Sequence, residues 1–219
     1  MTLSLYAHPF SSYCQKALIA LYENATPFEL KMLAPETPQN FEALKKLWPL
    51  GKFPVLEDDG AVVFEATSII EHLALHHPGP VRLVPEAPGI ALEVRMMDRV
   101  FDNYVMTPMQ RIVSDHIRPP EKRDPQTVTE ARSMLETSYR WLNGRLAGRE
   151  WAVAEAFSLA DCAAAPSLFF ADWAHPIAEE FYELRAYRNR LMARPSFARA
   201  VDEARPYRHF FPLGAPDRD

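Results

Sequence analysis

Residues 51–64 read GKFPVLEDDGAVVF, and this stretch decides the fold. Two short runs of mostly apolar residues, 55–57 and 62–64, are separated by the turn sequence Asp-Asp-Gly. Apolar runs that flank an Asp-Gly turn are typical of an antiparallel hairpin. Pro54 stands directly before the first run, at a strand start where proline is tolerated. We therefore predict two antiparallel strands, the first of which begins after a proline.

The residues before this hairpin predict a β-α-β unit. Residues 3–6 suit a short strand, and a helix is predicted from Ser11-Ser12 to Asn24 because apolar residues recur between them at helical spacing. A second strand is predicted near residues 28–31. The remaining helices of this half are predicted around residues 41–47, before the hairpin, and from about residue 67 to residue 76, after it.

A proline-rich segment then divides the chain. Residues 78–88 contain four prolines and no periodic apolar pattern. We predict a first domain at residues 1–80, a linker at 81–89 and an all-helical second domain at 90–219. Its predicted helices lie at about residues 90–113, 128–146, 159–170, 181–190 and 195–205, with an irregular tail from Pro206.

The composition excludes several functional classes. The chain has 219 residues, 48% of them apolar, and a net charge of -5 with no basic block, so it can bury a core but offers no surface for nucleic acid. Its two cysteines, Cys14 and Cys162, are far apart and lack metal-ligand spacing. No apolar run approaches the ~18 residues of a membrane helix, and the N-terminus lacks signal-peptide features. We expect a soluble, unprocessed, cytoplasmic protein that binds neither nucleic acid nor membranes.

Four segments in order carry a resemblance to the cytosolic glutathione transferases. They are 6–17 (YAHPFSSYCQKA), 51–56 (GKFPVL), 64–73 (FEATSIIEHL) and 157–166 (FSLADCAAAP), so the resemblance spans nearly the whole chain. Within this family, the chain resembles the bacterial, serine-type, theta- and zeta-like members. The resemblance implies an α/β thioredoxin-like N-terminal domain that binds glutathione and an all-α C-terminal domain that contributes the electrophile site.

The resemblance assigns the catalytic role to Ser11. In this family the matching residue opens the first helix and contacts the glutathione sulfur. Holding a thiol of pKa ~8.5 as thiolate at neutral pH needs about 2.7 kcal/mol. One hydrogen bond to the charged sulfur contributes about 1.5 to 3 kcal/mol, and the helix N-terminus adds about 0.3 to 1 kcal/mol. Ser12 is the alternative donor, and a helix N-cap without a chemical role is the alternative function of Ser11.

The resemblance also assigns the other glutathione contacts. Pro54 matches the family's cis-proline, and the main-chain N–H and C=O of Phe53 pair with the cysteinyl backbone of glutathione as an added strand would. Lys52 is a candidate contact to a glutathione carboxylate, and Gln39 a candidate contact to its glycyl end. A solvated lysine is the alternative for Lys52.

The next segment binds the γ-glutamyl end in the family and departs from its pattern here. Glu65 matches the acidic residue that meets the γ-glutamyl amine, while N–H groups at the following helix start meet the carboxylate. The usual Ser or Thr after the acidic residue is Ala66 in this chain, and Thr67 follows one place later. A missing hydroxyl costs about 1 kcal/mol of binding unless Thr67 replaces it.

Three further features are predicted to be structural. Ser158 and Asp161 have capping-box spacing at a helix start. Cys14 lies on the apolar stripe of the first helix and is predicted to be buried. His72 and His76 stand four residues apart but lack a third metal ligand in the sequence, so we predict no metal.

The predicted function is conjugation of glutathione to a small apolar electrophile by a homodimer. Candidate residues for the electrophile side are Phe10, Tyr104, Met106 and Arg111, with core or dimer packing as the alternative. Isomerase, dehalogenase and peroxidase activities occur on the same fold. A non-catalytic interaction protein that keeps the fold is the alternative from another class, and Ala66 favours it.

Overall fold

The computed structural model describes residues 3–219, so residues 1 and 2 of the predicted first domain lie outside the described residues. The N-terminal half is a small α/β unit, as predicted. Its elements in chain order are β1 (Leu3–Ala7), α1 (Ser12–Glu23), β2 (Glu29–Met32), α2 (Pro38–Leu47), β3 (Val55–Asp58), β4 (Ala61–Phe64) and α3 (Ala66–His76).

The four strands form one mixed sheet in the order β2-β1-β3-β4. β1 runs parallel to β2 and antiparallel to β3, and β3 and β4 form the predicted hairpin. Leu5 on β1 is paired in register with Leu56 on β3, and both side chains are fully buried. Because the apolar positions of the central strands face helices, the register is fixed by the core.

The C-terminal half contains helices and no strand among the described residues. Its helices are α4 (Pro88–Phe101), α5 (Thr107–Ile117), α6 (Pro125–Arg145), α7 (Leu159–Ala174), α8 (Tyr182–Ala193) and α9 (Pro195–Ala204). A π-helical turn, Asp102–Met106, joins α4 to α5, which accounts for the single helix predicted at 90–113. Helix α2 begins at Pro38, before the predicted start, because proline is favoured in the first helical turn.

Helix α7 lies at the centre of the molecule and packs against both halves. Its residues from Leu159 to Trp173 are all buried, and it contacts α1 of the first half and α4 of the second. A helix that is apolar on every side is buried on every side. Within residues 3–219, no helix combines the length and the apolar character that a bilayer crossing requires.

Candidate active site

Ser11 is the residue that precedes helix α1, and its hydroxyl is not used to cap that helix. Its backbone is extended, with φ -85° and ψ 125°, and its main-chain N–H donates to the carbonyl of His8 over 2.9 Å. No side-chain hydrogen bond caps α1. The hydroxyl is therefore free of the N-cap role that was the alternative.

A mostly apolar cavity of about 320 Å³ opens beside Ser11. Phe10 forms part of its wall and packs edge-on against Phe170, with ring centroids 5.4 Å apart. Ser12 is buried and does not line the cavity. Ser11 is thus the serine that faces the cavity, whose full lining is His8, Phe10, Ser11, Leu33, Pro35, Phe53 and Phe210.

The cysteine nearest the site, Cys14, is fully buried in the core, as predicted. Burial raises the pKa of the Cys14 thiol to about 12, although hydrogen bonds with the Ser11 hydroxyl and the His8 backbone oppose that rise. Burial also raises the pKa of Cys162 well above its usual value. Neither thiol can supply a thiolate near neutral pH.

We expect Ellman's reagent to titrate no thiol in the native protein and both thiols in guanidinium chloride. The reason is that each sulfur is inaccessible and protonated. The measurement is the absorbance released by the reagent before and after unfolding. Stoichiometric reaction of the native protein that a Cys14→Ala variant loses would contradict this structure of the site and favour a cysteine mechanism.

The bond between Phe53 and Pro54 is cis, which confirms the prediction for this peptide. Phe53 is half-buried and lines the cavity with Ser11, and β3 begins only at Val55. Within residues 3–219, the main-chain N–H and C=O of Phe53 make no hydrogen bond. Unpaired backbone groups of this kind are open to an extended partner segment.

Glu65 lies immediately before helix α3 in a left-handed conformation, with φ 69°. A non-glycine residue in this region is strained and is found disproportionately at ligand sites. Its carbonyl accepts the N–H of Ile69 over 2.9 Å, while its exposed side chain makes no capping bond. The carboxylate and the N–H groups of the first turn of α3 are therefore available to a ligand.

Thr67 does not replace the hydroxyl that Ala66 lacks. Its Oγ1 accepts a hydrogen bond from Lys16 Nζ over 2.9 Å and donates to Asp98 Oδ2 over 3.0 Å. The Arg99 guanidinium donates to the same hydroxyl. Ala66 itself is buried. Only the main-chain N–H groups at these two positions remain for a ligand.

Lys16 is the centre of a buried polar cluster that the sequence analysis missed. We name it the Lys16 network, and its members are Lys16, Thr67, Asp98, Arg99 and Asp102. Lys16 Nζ lies 2.5 Å from Asp98 Oδ1 and 2.8 Å from Asp102 Oδ2, with Lys16 only 1% exposed. Burial raises the pKa of the Asp102 carboxyl, and Lys16 opposes the shift. The network joins four elements, namely α1, the first turn of α3, α4 and the π-helical turn.

The other predicted residues lie elsewhere. Gln39 and Lys52 are exposed, the first of them in the opening turn of α2. Tyr104 lines a separate groove with Met134 and Trp141. Met106 is 1% exposed because its position on the π-helical turn faces the core, and Arg111 is exposed on α5. Of the residues predicted for the electrophile side, the structure brings only Phe10 to the cavity.

The sequence analysis missed four residues of the cavity wall, namely His8, Leu33, Pro35 and Phe210. His8 follows β1, and Phe210 ends a 3-10 turn, Arg205–Phe210, in the tail predicted to be irregular. Tyr207 packs edge-on against the ring of His8, with centroids 4.6 Å apart. The aromatic run in residues 207–211, YRHFF, was the available signal, because exposed aromatic residues in a tail require a surface to cover.

Two family models match this chain. "Glutathione S-transferase, N-terminal domain" matches residues 5–81, and "Glutathione S-transferase, C-terminal domain" matches residues 102–195. The chain belongs to the glutathione S-transferase family. Both halves of the family's architecture are thereby accounted for, in the order in which the structure contains them.

Relatives of this family cover most of the chain. Glutathione S-transferase GstB of Escherichia coli K12 is 27% identical over 76% of this chain and 82% of its own length. A stringent starvation protein A homolog of Haemophilus ducreyi is 26% identical over 93% of this chain and 92% of its own length. A crystal structure of a Methylobacillus flagellatus glutathione S-transferase with glutathione bound is similar with a TM-score of 0.79. It is 25% identical, over 91% of this chain and 98% of that one.

Proposed function

We propose that this protein is a glutathione transferase in which Ser11 stabilises the glutathione thiolate. The observation that carries the proposal is that Ser11 and Phe53 line the same cavity. The main-chain N–H and C=O of Phe53 make no hydrogen bond within residues 3–219. A cysteinyl residue that paired with Phe53 as a short added strand would be held next to the start of α1. The glutathione-bound relative supports this choice of ligand.

Ser11 acts in this proposal as a hydrogen-bond donor. Its hydroxyl donates to the bound sulfur, and the N-terminal end of α1 adds its partial positive charge. Together they lower the pKa of the bound thiol by about 2 units, or about 2.7 kcal/mol. The thiolate then attacks the electrophile, and the leaving group departs with its electron pair.

The γ-glutamyl end of glutathione is assigned to the start of α3. The Glu65 carboxylate meets the ligand's ammonium group, and the free N–H groups of Ala66 and Thr67 meet its carboxylate. Because the Thr67 hydroxyl is already hydrogen-bonded to Lys16 and Asp98, it makes no contact with the ligand. Lys52, Gln39 and Ser12 stay candidate contacts from the family pattern.

The electrophile is assigned to the cavity beside Ser11. About 320 Å³ between Phe10, Phe53 and Phe210 suits one small, apolar molecule. Isomerase, dehalogenase and peroxidase activities would use the same bound thiolate. The proposal therefore assigns the thiolate, and the experiment below tests which reaction it performs.

A homodimer is part of the proposal. Tyr104, Met134 and Trp141 line an apolar groove beside helix α6, and Tyr104 and Trp141 are each about half exposed. Apolar surface of this kind supports burial against a second copy of the chain.

An interaction protein without transferase activity is the second candidate. Ala66 removes a hydroxyl from the γ-glutamyl site, and Thr67 does not restore it. A relative with nearly full-length coverage is named a stringent starvation protein A homolog, not a transferase. These two observations favour the alternative, and glutathione binding decides between the two.

The test is calorimetric titration with reduced glutathione, followed by a rate assay with glutathione and chlorodinitrobenzene. We expect Glu65→Ala to weaken binding roughly 10- to 100-fold, because it removes a hydrogen bond between charged groups. We expect Ser11→Ala to raise the pKa of the bound thiol by about 1 to 2 units, the share of the shift that the hydroxyl contributes, which moves the rate profile to higher pH. The thiolate's ultraviolet absorbance in the complex measures that pKa directly.

Glu121→Ala is the matched control, since Glu121 is an exposed carboxylate outside the site. It should leave binding and rate unchanged. If the wild type binds glutathione but does not conjugate it, the result would favour another glutathione-dependent reaction at the same site. No binding heat at millimolar glutathione would overturn the transferase proposal in favour of the interaction protein.

A further inference from the structure

Three side chains with metal-ligand chemistry converge at the C-terminal end of α3. Asp58 is the last residue of β3, His72 lies in α3, and His77 directly follows that helix. The Nε2 atoms of His72 and His77 lie 2.8 Å and 2.7 Å from the same oxygen, Asp58 Oδ2. All three ligand atoms fall within 4.8 Å of one another.

We propose that Asp58, His72 and His77 form a binding site for a divalent transition metal, with Zn²⁺ as the ion that fits best. Two imidazoles and one carboxylate form a donor set found in zinc sites with an open fourth position. Imidazole also suits Cu²⁺ and Ni²⁺, whereas Mg²⁺ prefers oxygen ligands alone. The set therefore selects a class of ion, and Mg²⁺ lies outside that class.

The two hydrogen-bonded separations must lengthen slightly to accept the ion. Zinc bonds to nitrogen and carboxylate oxygen are about 2.0 to 2.2 Å long, so tetrahedral ligand atoms stand about 3.3 Å apart. The present separations of 2.7 and 2.8 Å are hydrogen-bond lengths, and each must grow by about 0.5 Å. The side chains of His72, His77 and Asp58 are 15%, 22% and 12% exposed, so an ion from solvent reaches them.

The fold selects His77 where the sequence spacing pointed to His76. His72 and His76 stand four residues apart, and their ring centroids are 4.4 Å apart. His76 nevertheless makes no polar contact with Asp58 in the described residues, whereas His77 does. The third ligand comes from β3, 14 residues before His72. That contact exists only once the sheet has formed, which is why the sequence predicts no metal.

The proposed site lies away from the glutathione site. Helix α3 has 11 residues, so its rise of about 1.5 Å per residue separates Glu65 from His76 by roughly 16 Å. A bound ion would join the end of α3 to the β3–β4 hairpin and stabilise the N-terminal domain. Its presence is therefore measured without reference to transferase activity.

The test is calorimetric titration of the full chain, freed of any histidine tag, with ZnCl₂ in the absence of glutathione. We expect one Zn²⁺ per chain and a melting temperature that rises by about 5 to 10 °C with free Zn²⁺ 100-fold above its Kd. His77→Gln and Asp58→Asn should each weaken binding at least 10-fold. His76→Gln and the exposed His116→Gln should change it less than threefold. MgCl₂ should produce no binding heat.

Melting in EDTA shows whether each variant is folded, and either His77→Gln or Asp58→Asn suffices for the test if the other is unstable. Wild-type affinity in the folded variant would overturn the proposal. Loss of binding on His76→Gln would overturn this ligand set, and so would the absence of binding by the wild type at millimolar Zn²⁺. None of these results depends on whether the protein binds glutathione.

Discussion

Replacing Lys16 with methionine is expected to lower the free energy of unfolding by about 3 to 5 kcal/mol. Lys16 Nζ neutralises Asp98 and Asp102, which lie 2.5 and 2.8 Å away, and Asp98 is fully buried. Methionine has similar length but no charge, so the two buried carboxylates would keep only Arg99, whose side chain is about half exposed, as a counter-ion. The expected loss corresponds to a melting temperature roughly 6 to 20 °C lower, because 1 kcal/mol shifts the melting temperature of a chain this long by about 2 to 4 °C.

Lys46→Met is the matched control, because Lys46 is exposed on α2. It should alter unfolding by less than about 0.5 kcal/mol. A Lys16→Met/Asp98→Asn/Asp102→Asn variant should recover part of the loss, since it removes the uncompensated charges together with their partner. If the free energy of unfolding of Lys16→Met lies within about 1 kcal/mol of the wild-type value, the charge of Lys16 does not stabilise the network.

The Lys16 network also links stability to the proposed ligand site. Lys16 and Arg99 both donate to the hydroxyl of Thr67, the second residue of α3. The first turn of α3 is thus fixed against α1 and α4 before any ligand arrives. Preorganised N–H groups bind an anion without an ordering cost.

The fold was predicted from local patterns that act over short distances. The Asp-Asp-Gly turn and its flanking apolar runs predicted the β3–β4 hairpin, and the structure pairs Leu56 with Val63 across it. Periodic apolar residues predicted the helices, since burial of one face sets their spacing. The π-helical turn at Asp102–Met106 left that periodicity intact, so α4 and α5 were predicted as one helix.

Residues of the candidate site were predicted only where a short segment of sequence contains them. Ser11, Phe53 and Glu65 lie in contiguous motifs, and the first two meet in one cavity. The Lys16 network was missed, although Asp98 in α4 and Asp102 at the start of the π-helical turn stand four residues apart and are both buried. Two buried carboxylates require a counter-ion, and only the tertiary structure shows that Lys16 joins Arg99 in this role.

Contacts between residues that are far apart in the sequence could not be predicted from local patterns. Phe210 reaches the cavity because the tail folds back over His8, and Asp58 reaches His77 because β3 packs beside α3. Met106 shows the opposite error, since a methionine near the expected cleft proved to be core. In each case the deciding contact joins residues separated in sequence, which local spacing does not encode.

Replacing Asp161 with alanine is expected to destabilise the chain by about 3 to 5 kcal/mol, or to prevent folding. The predicted capping box is present, and the structure adds two partners to it. The carboxylate accepts hydrogen bonds from Ser158 N–H over 2.9 Å, Ser158 Oγ over 3.0 Å, Ala152 N–H over 2.9 Å and the Tyr187 hydroxyl over 2.6 Å. Burial raises the pKa of the Asp161 carboxyl, and these hydrogen bonds oppose the shift.

The expected destabilisation follows from the hydrogen-bond donors that Asp161→Ala would leave unpaired in the core. Each buried unpaired donor costs about 1 to 3 kcal/mol, and the α7 start and the Ala152 loop would both lose their shared anchor. Denaturant unfolding measures the loss, with the exposed Asp217→Ala as the control that should be neutral. If Asp161→Ala yields no folded protein, Tyr187→Phe, which removes only the 2.6 Å bond, should still cost about 1 to 3 kcal/mol. Wild-type stability in both variants would show that helix α7 does not depend on this carboxylate.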